Sequence, residues 1–163
     1  MAKSLVKTKG GDNLKKLLKD LNGLTMKANV VAIGLPSDSN PYPDGTSIIM
    51  VGTVNEFGSP NMGIPERSFL RTGTIVAEKV ISQTIAKPLA KKVLNGSIEP
   101  KKALHIMGQI AQSSVQQKIT EMSDPTNAAM TLAMKYPKTS PLINTGHLRQ
   151  SIRYKVGDSS DFN

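Results

Sequence analysis

The chain has 163 residues, a net charge of +9 and 38% hydrophobic residues, but only 4% aromatic residues and neither tryptophan nor cysteine. That length suits one domain with an extended arm, since domains cluster at about 100–150 residues. The missing cysteines exclude a disulfide framework and thiolate chemistry. No apolar run approaches the roughly 18–20 residues that cross a bilayer, and no apolar segment follows the first lysines as in a signal peptide, so a soluble protein of a reducing compartment is expected.

Residues 1–11 are polar and read as a flexible basic arm. Lys3, Lys7, Lys9, Lys15, Lys16 and Lys19 face only Asp12 and Asp20 within the first twenty residues. This charge suits either a solvated lysine face or contact with an acidic protein surface or nucleic acid. Asp12 can cap a helix with Leu14, Leu17, Leu18 and Leu21 on one face, closed by Asn22-Gly23. Ala28 to Leu35 is apolar and β-branched, the pattern of a buried strand ended by Pro36. Ser37 to Thr46 is a loop of proline, aspartate and glycine, and it lacks the Gly-Lys-Ser/Thr of a phosphate-binding loop.

Ser47 to Phe57 satisfies a strand by propensity and a helix by its capping residues; a short helix is preferred, with Phe57 entering the core. Gly58-Ser59-Pro60 turns the chain, and Ile64-Pro65 is a rigid bend that disfavours helix before it. Phe69 to Leu94 reads as one long helix with Val76, Val80, Ile81, Ile85, Leu89 and Val93 broadly on one side, kinked or restarted at Pro88. Asn95-Gly96 closes it, and Pro100 opens a second long helix to Met122 with Leu104, Met107, Ile110 or Ala111, Val115 and Ile119 at helical spacing. A long loop is expected at about 123–141. Thr145 can cap one helical turn through Gln150, and Ser151 to Val156 alternates as a half-exposed strand that should pair with Val30 to Leu35. Residues 158–163 are expected to be loose. The fold class is therefore α+β over residues 12–157, a short, mainly antiparallel sheet packed by two long helices.

No catalytic constellation emerges. His147 and Ser151 lie four apart, but no oriented acid or oxyanion motif accompanies them. His105 and His147 have no neighbours at metal-ligand spacing, so no metal or cofactor is expected. Glu56 and Glu66 flank the tight turn, where helix-end electrostatics or pairing with Arg67 or Arg71 is their expected work.

Two stretches carry a further signal. Asn55-Glu56-Phe57-Gly58-Ser59-Pro60, followed by Ile64-Pro65-Glu66-Arg67-Ser68-Phe69-Leu70-Arg71, resembles the NEFG(T/S)P…IP.RPFLR signature of a family of tailed-bacteriophage tail-component or virion-morphogenesis proteins. Ser140 to Ile152 resembles the same family's kPLidTGqLrnSI element, in the same order and at a similar distance. The chain departs from the pattern at Ser68, where the family usually has proline, and at 124–138, which matches only loosely. The resemblance implies a structural protein of the virion neck or tail end, assembled in the host cytoplasm and completing the head-to-tail joint. It implies a homo-oligomeric ring of six or twelve copies that meets other neck, tail-tube or tail-terminator proteins, with nonspecific contact to packaged DNA and no membrane or enzymatic role. On this resemblance Glu56, Phe57, Gly58, Ile64, Pro65, Arg67, Phe69, Leu70 and Arg71 anchor the turn and the long helix, and Leu142, Thr145, Gly146 and Leu148 fix the second turn against the sheet. The alternative class is a nonspecific nucleic-acid-binding protein or transient assembly factor using its basic surface.

Overall fold

One helix takes part in most of the packing. The computed structural model describes Lys15, Lys19 and residues 29–136 and 140–158. In chain order these form β1 (Asn29–Gly34), α1 (Ile48–Phe57), a 3-10 turn (Pro60–Met62), α2 (Phe69–Val80), a π-helical turn (Ile81–Ile85), α3 (Ala86–Leu94), α4 (Pro100–Glu121), α5 (Ala129–Lys135), α6 (His147–Ser151) and β2 (Arg153–Asp158). The fold is α+β, as the sequence pattern implies. The expected arm, most of the first helix and 159–163 lie outside the described residues, whereas Asp158, expected to be loose, ends β2 in register with Asn29; Lys15 and Lys19 are helical and exposed.

Helix α4 begins with Pro100 in its first turn, where a missing N–H costs no helical bond. It packs against α2, α3, α6 and both strands. Serving several neighbours, it buries Ala103, Gly108 and the expected Ala111, Val115 and Ile119, while Leu104 and Met107 on the same broad face are half-buried. Two glycines set the closeness of approach. A Cβ on Gly73 of α2 would lie 2.7 Å from the Cα of Val115, and one on Gly108 would lie 2.3 Å from the ring of Tyr154 on β2. Thus α2 meets α4 at backbone contact, and the Tyr154 ring occupies space that a side chain at 108 would fill. His105 meets that ring edge-on, with centroids 5.8 Å apart.

β1 and β2 pair antiparallel from Asn29↔Asp158 to Gly34↔Arg153, so the expected partnership holds. A two-stranded ribbon is marginal by itself, and α4 supplies the surface that supports it. The apolar run of β1 is not buried as its composition suggested; Val30 to Leu35 are half-buried throughout. Among the described elements α4 is the helix packed on this ribbon, and a helix covers only part of a sheet face.

The ambiguous segment 47–57 is helical, started by Ser47, whose Oγ accepts the Met50 N–H at 3.4 Å. Its inward residues are Ile48, Gly52 and Glu56, a one-sided i, i+4, i+8 series. Phe57 lies one step of about 100° off that line. It is therefore 74% exposed, and the expectation that it enters the core is corrected.

The long helix is interrupted, but not at Pro88 itself. Proline lacks an N–H and its ring clashes with the carbonyl four residues earlier, here Thr84. The structure absorbs this upstream, in the π turn at 81–85, where the Ala86 N–H reaches back to the Ile81 carbonyl. The buried face before it is Phe69, Gly73 and Ala77, with Leu89 beyond, whereas Val76 and Val80 are substantially exposed. The core joins Ile48, Phe69, Val115, Ile119, Leu142, Leu148 and Ile152. The expected long loop at 123–141 is also corrected, since it contains α5.

Gly73→Leu should overpack the α2–α4 contact, because the neighbour is backbone and cannot rotate away. A loss of about 3 kcal/mol is expected in urea denaturation.

Candidate functional site

The chain leaves α1, turns, and enters α2 through the first motif. Gly58 has φ of +73°, and a Cβ there would fall 2.9 Å from the Glu66 nitrogen, so glycine is needed on both counts. Ser59 and Ile64 close the turn with two backbone hydrogen bonds of 2.8 and 3.0 Å. Ile64 is half-buried and Pro65 exposed.

Glu56 acts across that turn. Its side chain is 7% exposed, and its two oxygens accept the N–H groups of Leu70 and Arg71 at 2.8 and 2.9 Å. The first N–H groups of a helix have no intrahelical acceptor, and they lie at the positive end of the macrodipole. A carboxylate from α1 thus caps α2. Ser68, at the usual capping position, makes no side-chain cap bond. Its hydroxyl donates instead to the Glu66 carboxylate, with the Glu56 carbonyl 3.2 Å away as a second acceptor. Arg71 completes the cluster, reaching Glu66 at 2.5 Å and the Ser68 hydroxyl at 2.7 Å. The Ser68 hydrogen bond, assisted by the Arg71 charge, holds the Glu66 carboxyl below its ordinary value of 4.5.

Arg67 points the other way and is 5% exposed. Its backbone N–H donates to the Asn55 carbonyl at 2.6 Å. Its guanidinium donates to the carbonyls of Pro125 and Thr126, both at 2.9 Å, and to the Asn55 and Asn127 side-chain oxygens, both at 3.3 Å. Of the expected roles for the two glutamates, helix-end capping falls to Glu56 and arginine pairing to Glu66 with Arg71, while Arg67 pairs with neither. Five rigid donors suit a ring of carbonyl acceptors, and burial draws the guanidinium below its ordinary pKa while leaving it charged at neutral pH.

This hub reaches the second motif. Asn127 donates to the Pro141 carbonyl at 3.4 Å, and Lys135 Nζ donates to the Ser140 and Pro141 carbonyls at 3.0 and 2.9 Å. Leu142 and Leu148 enter the core beside Phe69. The turn is consequently fixed against helices, with α6 packed on α1 and α4, and Ile33 of β1 packs against the same core. Gly146, with φ of +84°, is the residue before α6; Thr145 is exposed and accepts the His147 N–H at 3.3 Å. Leu70 is half-buried against the core.

Helix α5 hangs on these contacts. It has no buried residue, and Met130, Met134 and the adjoining Tyr136 are 74%, 79% and 85% exposed. Beneath it a cleft of about 340 Å³ is lined in part by Asn55, Met134, Lys135, Leu142 and His147. His147 Nε2 lies 2.9 Å from the Asn40 carbonyl, so it is engaged as a donor, and its ring meets Tyr42 edge-on at 4.9 Å. Burial raises the Tyr42 hydroxyl pKa. His147 Nε2 is thus occupied by the Asn40 carbonyl, and Ser151 lies inside the fold.

Asn55, Asn127 and Lys135 were not singled out by the sequence reading. Asn55 lies inside the first motif, but Asn127 and Lys135 fall in the poorly matching segment and carry no local signal. Compared with protein-family models, curated proteins and solved structures, the chain matches none.

Arg67→Met should leave several carbonyls without donors and cost about 3–5 kcal/mol. Glu56→Ala should cost about 1–2 kcal/mol by uncapping α2. Equilibrium urea denaturation measures both.

Because the Glu66 pKa is lowered in the folded chain, its contribution is complete above the unfolded value near 4.5 and is lost as pH falls through the folded value. Glu66→Gln should remove that part of the acid-side decline, read from melting temperatures between neutral and acid pH.

Proposed function

We propose that the chain is a structural virion protein of a long-tailed bacteriophage. It completes the neck or tail end as a closed ring of identical copies that also meets neighbouring neck, tail-tube or terminator proteins. The assignment to a virion rests on the resemblance of the two motifs. The observation that carries the assembly reading is α5, a helix held outward by both motifs while its methionines and Tyr136 find no cover in the described chain. Apolar side chains this exposed and close in sequence are characteristic of protein contacts, and methionine adapts well to a partner's surface. A ring needs a head-to-tail interface, in which a projecting element of one copy meets a different surface of the next. The 340 Å³ cleft beside α5 belongs to the same surface. Catalysis has no part in this reading.

Quantitative mass spectrometry of purified virions against the major capsid protein should find about six or twelve copies per particle. Near-zero copies would overturn the virion reading. Met130→Ser with Met134→Ser should leave the melting temperature of the isolated chain unchanged, since neither residue is buried, yet lower particle yield by at least about tenfold. Unchanged yield would remove α5 from the interface.

A further inference from the structure

The turn joining α3 to α4 gathers charge that the two motifs do not use. Lys87, Lys91 and Lys92 lie on α3, Lys101 and Lys102 on the first turn of α4, and all five are exposed. Between residues 86 and 102 the single acid is Glu99, so five lysines less one glutamate place +4 of the chain's +9 in seventeen residues. The connection spans only 95–99, which keeps the two helix ends adjacent. None of the five lysines forms an ion pair within the described residues.

Fold stability accounts for only part of this cluster. Lys91 and Lys92 occupy the last turn of α3, where a cation complements the negative end of the helix. Lys101 and Lys102 do the opposite: they occupy the positive end of α4, whose first turn carries no acid and whose capping Glu99 makes no side-chain cap bond. Two cations at the disfavoured end of α4 face Lys91 and Lys92 across a short turn, with Lys87 one helical turn further back on α3.

We infer that this helical hairpin tip binds the phosphate backbone of duplex DNA without reading sequence. The cluster is made of lysine alone, with no arginine and no aromatic residue between 86 and 102. Lysines are mobile point charges suited to spaced phosphates. They lack the planar fork that grips a carboxylate in two places, and nothing here stacks on or reads a base. The tip shares no residue with α5 or the two motifs, so this inference stands or falls separately from the ring.

The test is fluorescence anisotropy of the full chain with two labelled duplexes of unrelated sequence. Affinity should be equal for both and should fall about 500-fold between about 50 and 200 mM salt, as five phosphate contacts at about 0.9 each predict. Replacing the five lysines with glutamine should weaken low-salt binding at least tenfold and remove most of the salt slope. K3Q/K7Q/K9Q should keep the slope within about one unit. If the fivefold variant does not fold, K101Q/K102Q carries the test, with the slope reduced by about two and the melting temperature raised because two cations leave the positive helix end. A stabilised protein that binds DNA less well cannot be explained by misfolding. Wild-type binding by the tip variants, loss of binding on neutralising Lys3, Lys7 and Lys9, or displacement of DNA by polyglutamate at equal charge would each overturn the assignment, the last in favour of an acidic protein surface.

Discussion

The buried guanidinium of Arg67 holds together parts of the chain that are far apart in sequence. It joins Asn55 at the end of α1 to the carbonyls of Pro125 and Thr126, which lie 58 and 59 residues beyond Arg67 itself, and through Asn127 to Pro141. A charge so enclosed is tolerated because carbonyl and amide oxygens surround it, replacing the water it has lost. Without that ring of acceptors the segment at 124–127 would have little to hold it, since neither it nor α5 contributes a buried apolar side chain. Polar contacts therefore do here what the core does elsewhere.

Glu56 complements this arrangement at the opposite side of the same turn. By capping α2 from α1 it fixes the angle at which the chain reverses, and Phe69 follows directly into the core. The price of aiming the carboxylate inward is an outward Phe57. α2 can then lie on α4 at the separation that Gly73 allows, while Gly108 lets the sheet approach α4 through Tyr154. The cap, the hub and the two glycines form one chain of dependence from the first motif to the ribbon.

The exposed helix α5 and the basic helical hairpin lie on separate regions of the chain. α5 and its cleft belong to the region organised by Arg67, whereas the lysines at 87–102 belong to the helical hairpin. On the proposed reading, a protein-facing edge and a separate basic tip let one chain hold its neighbours and touch nucleic acid at once. Charge at the tip is kept at some expense to α4, whose first turn would be more stable with acids.

Periodicity makes much of the architecture legible in the sequence. α4 was announced by Pro100 and its apolar spacing, the pairing of the Val30 and Tyr154 segments by β-branched and alternating residues, and the turn at 58–64 by its glycines and prolines. These are local rules, in which a residue and its near neighbours suffice. What the sequence could not decide was which of several acceptable faces is covered. Val76 and Val80 look as apolar as Ala77, yet only the helix opposite selects among them; likewise one step along α1 exchanges Phe57 for Glu56. The kink assigned to Pro88 appears upstream because a π turn spreads the lost hydrogen bond over several residues. Arg67 could be read as important from its motif, but its acceptors at 125–127 could not, since carbonyls carry no side-chain signature and are brought to it only by the folded chain.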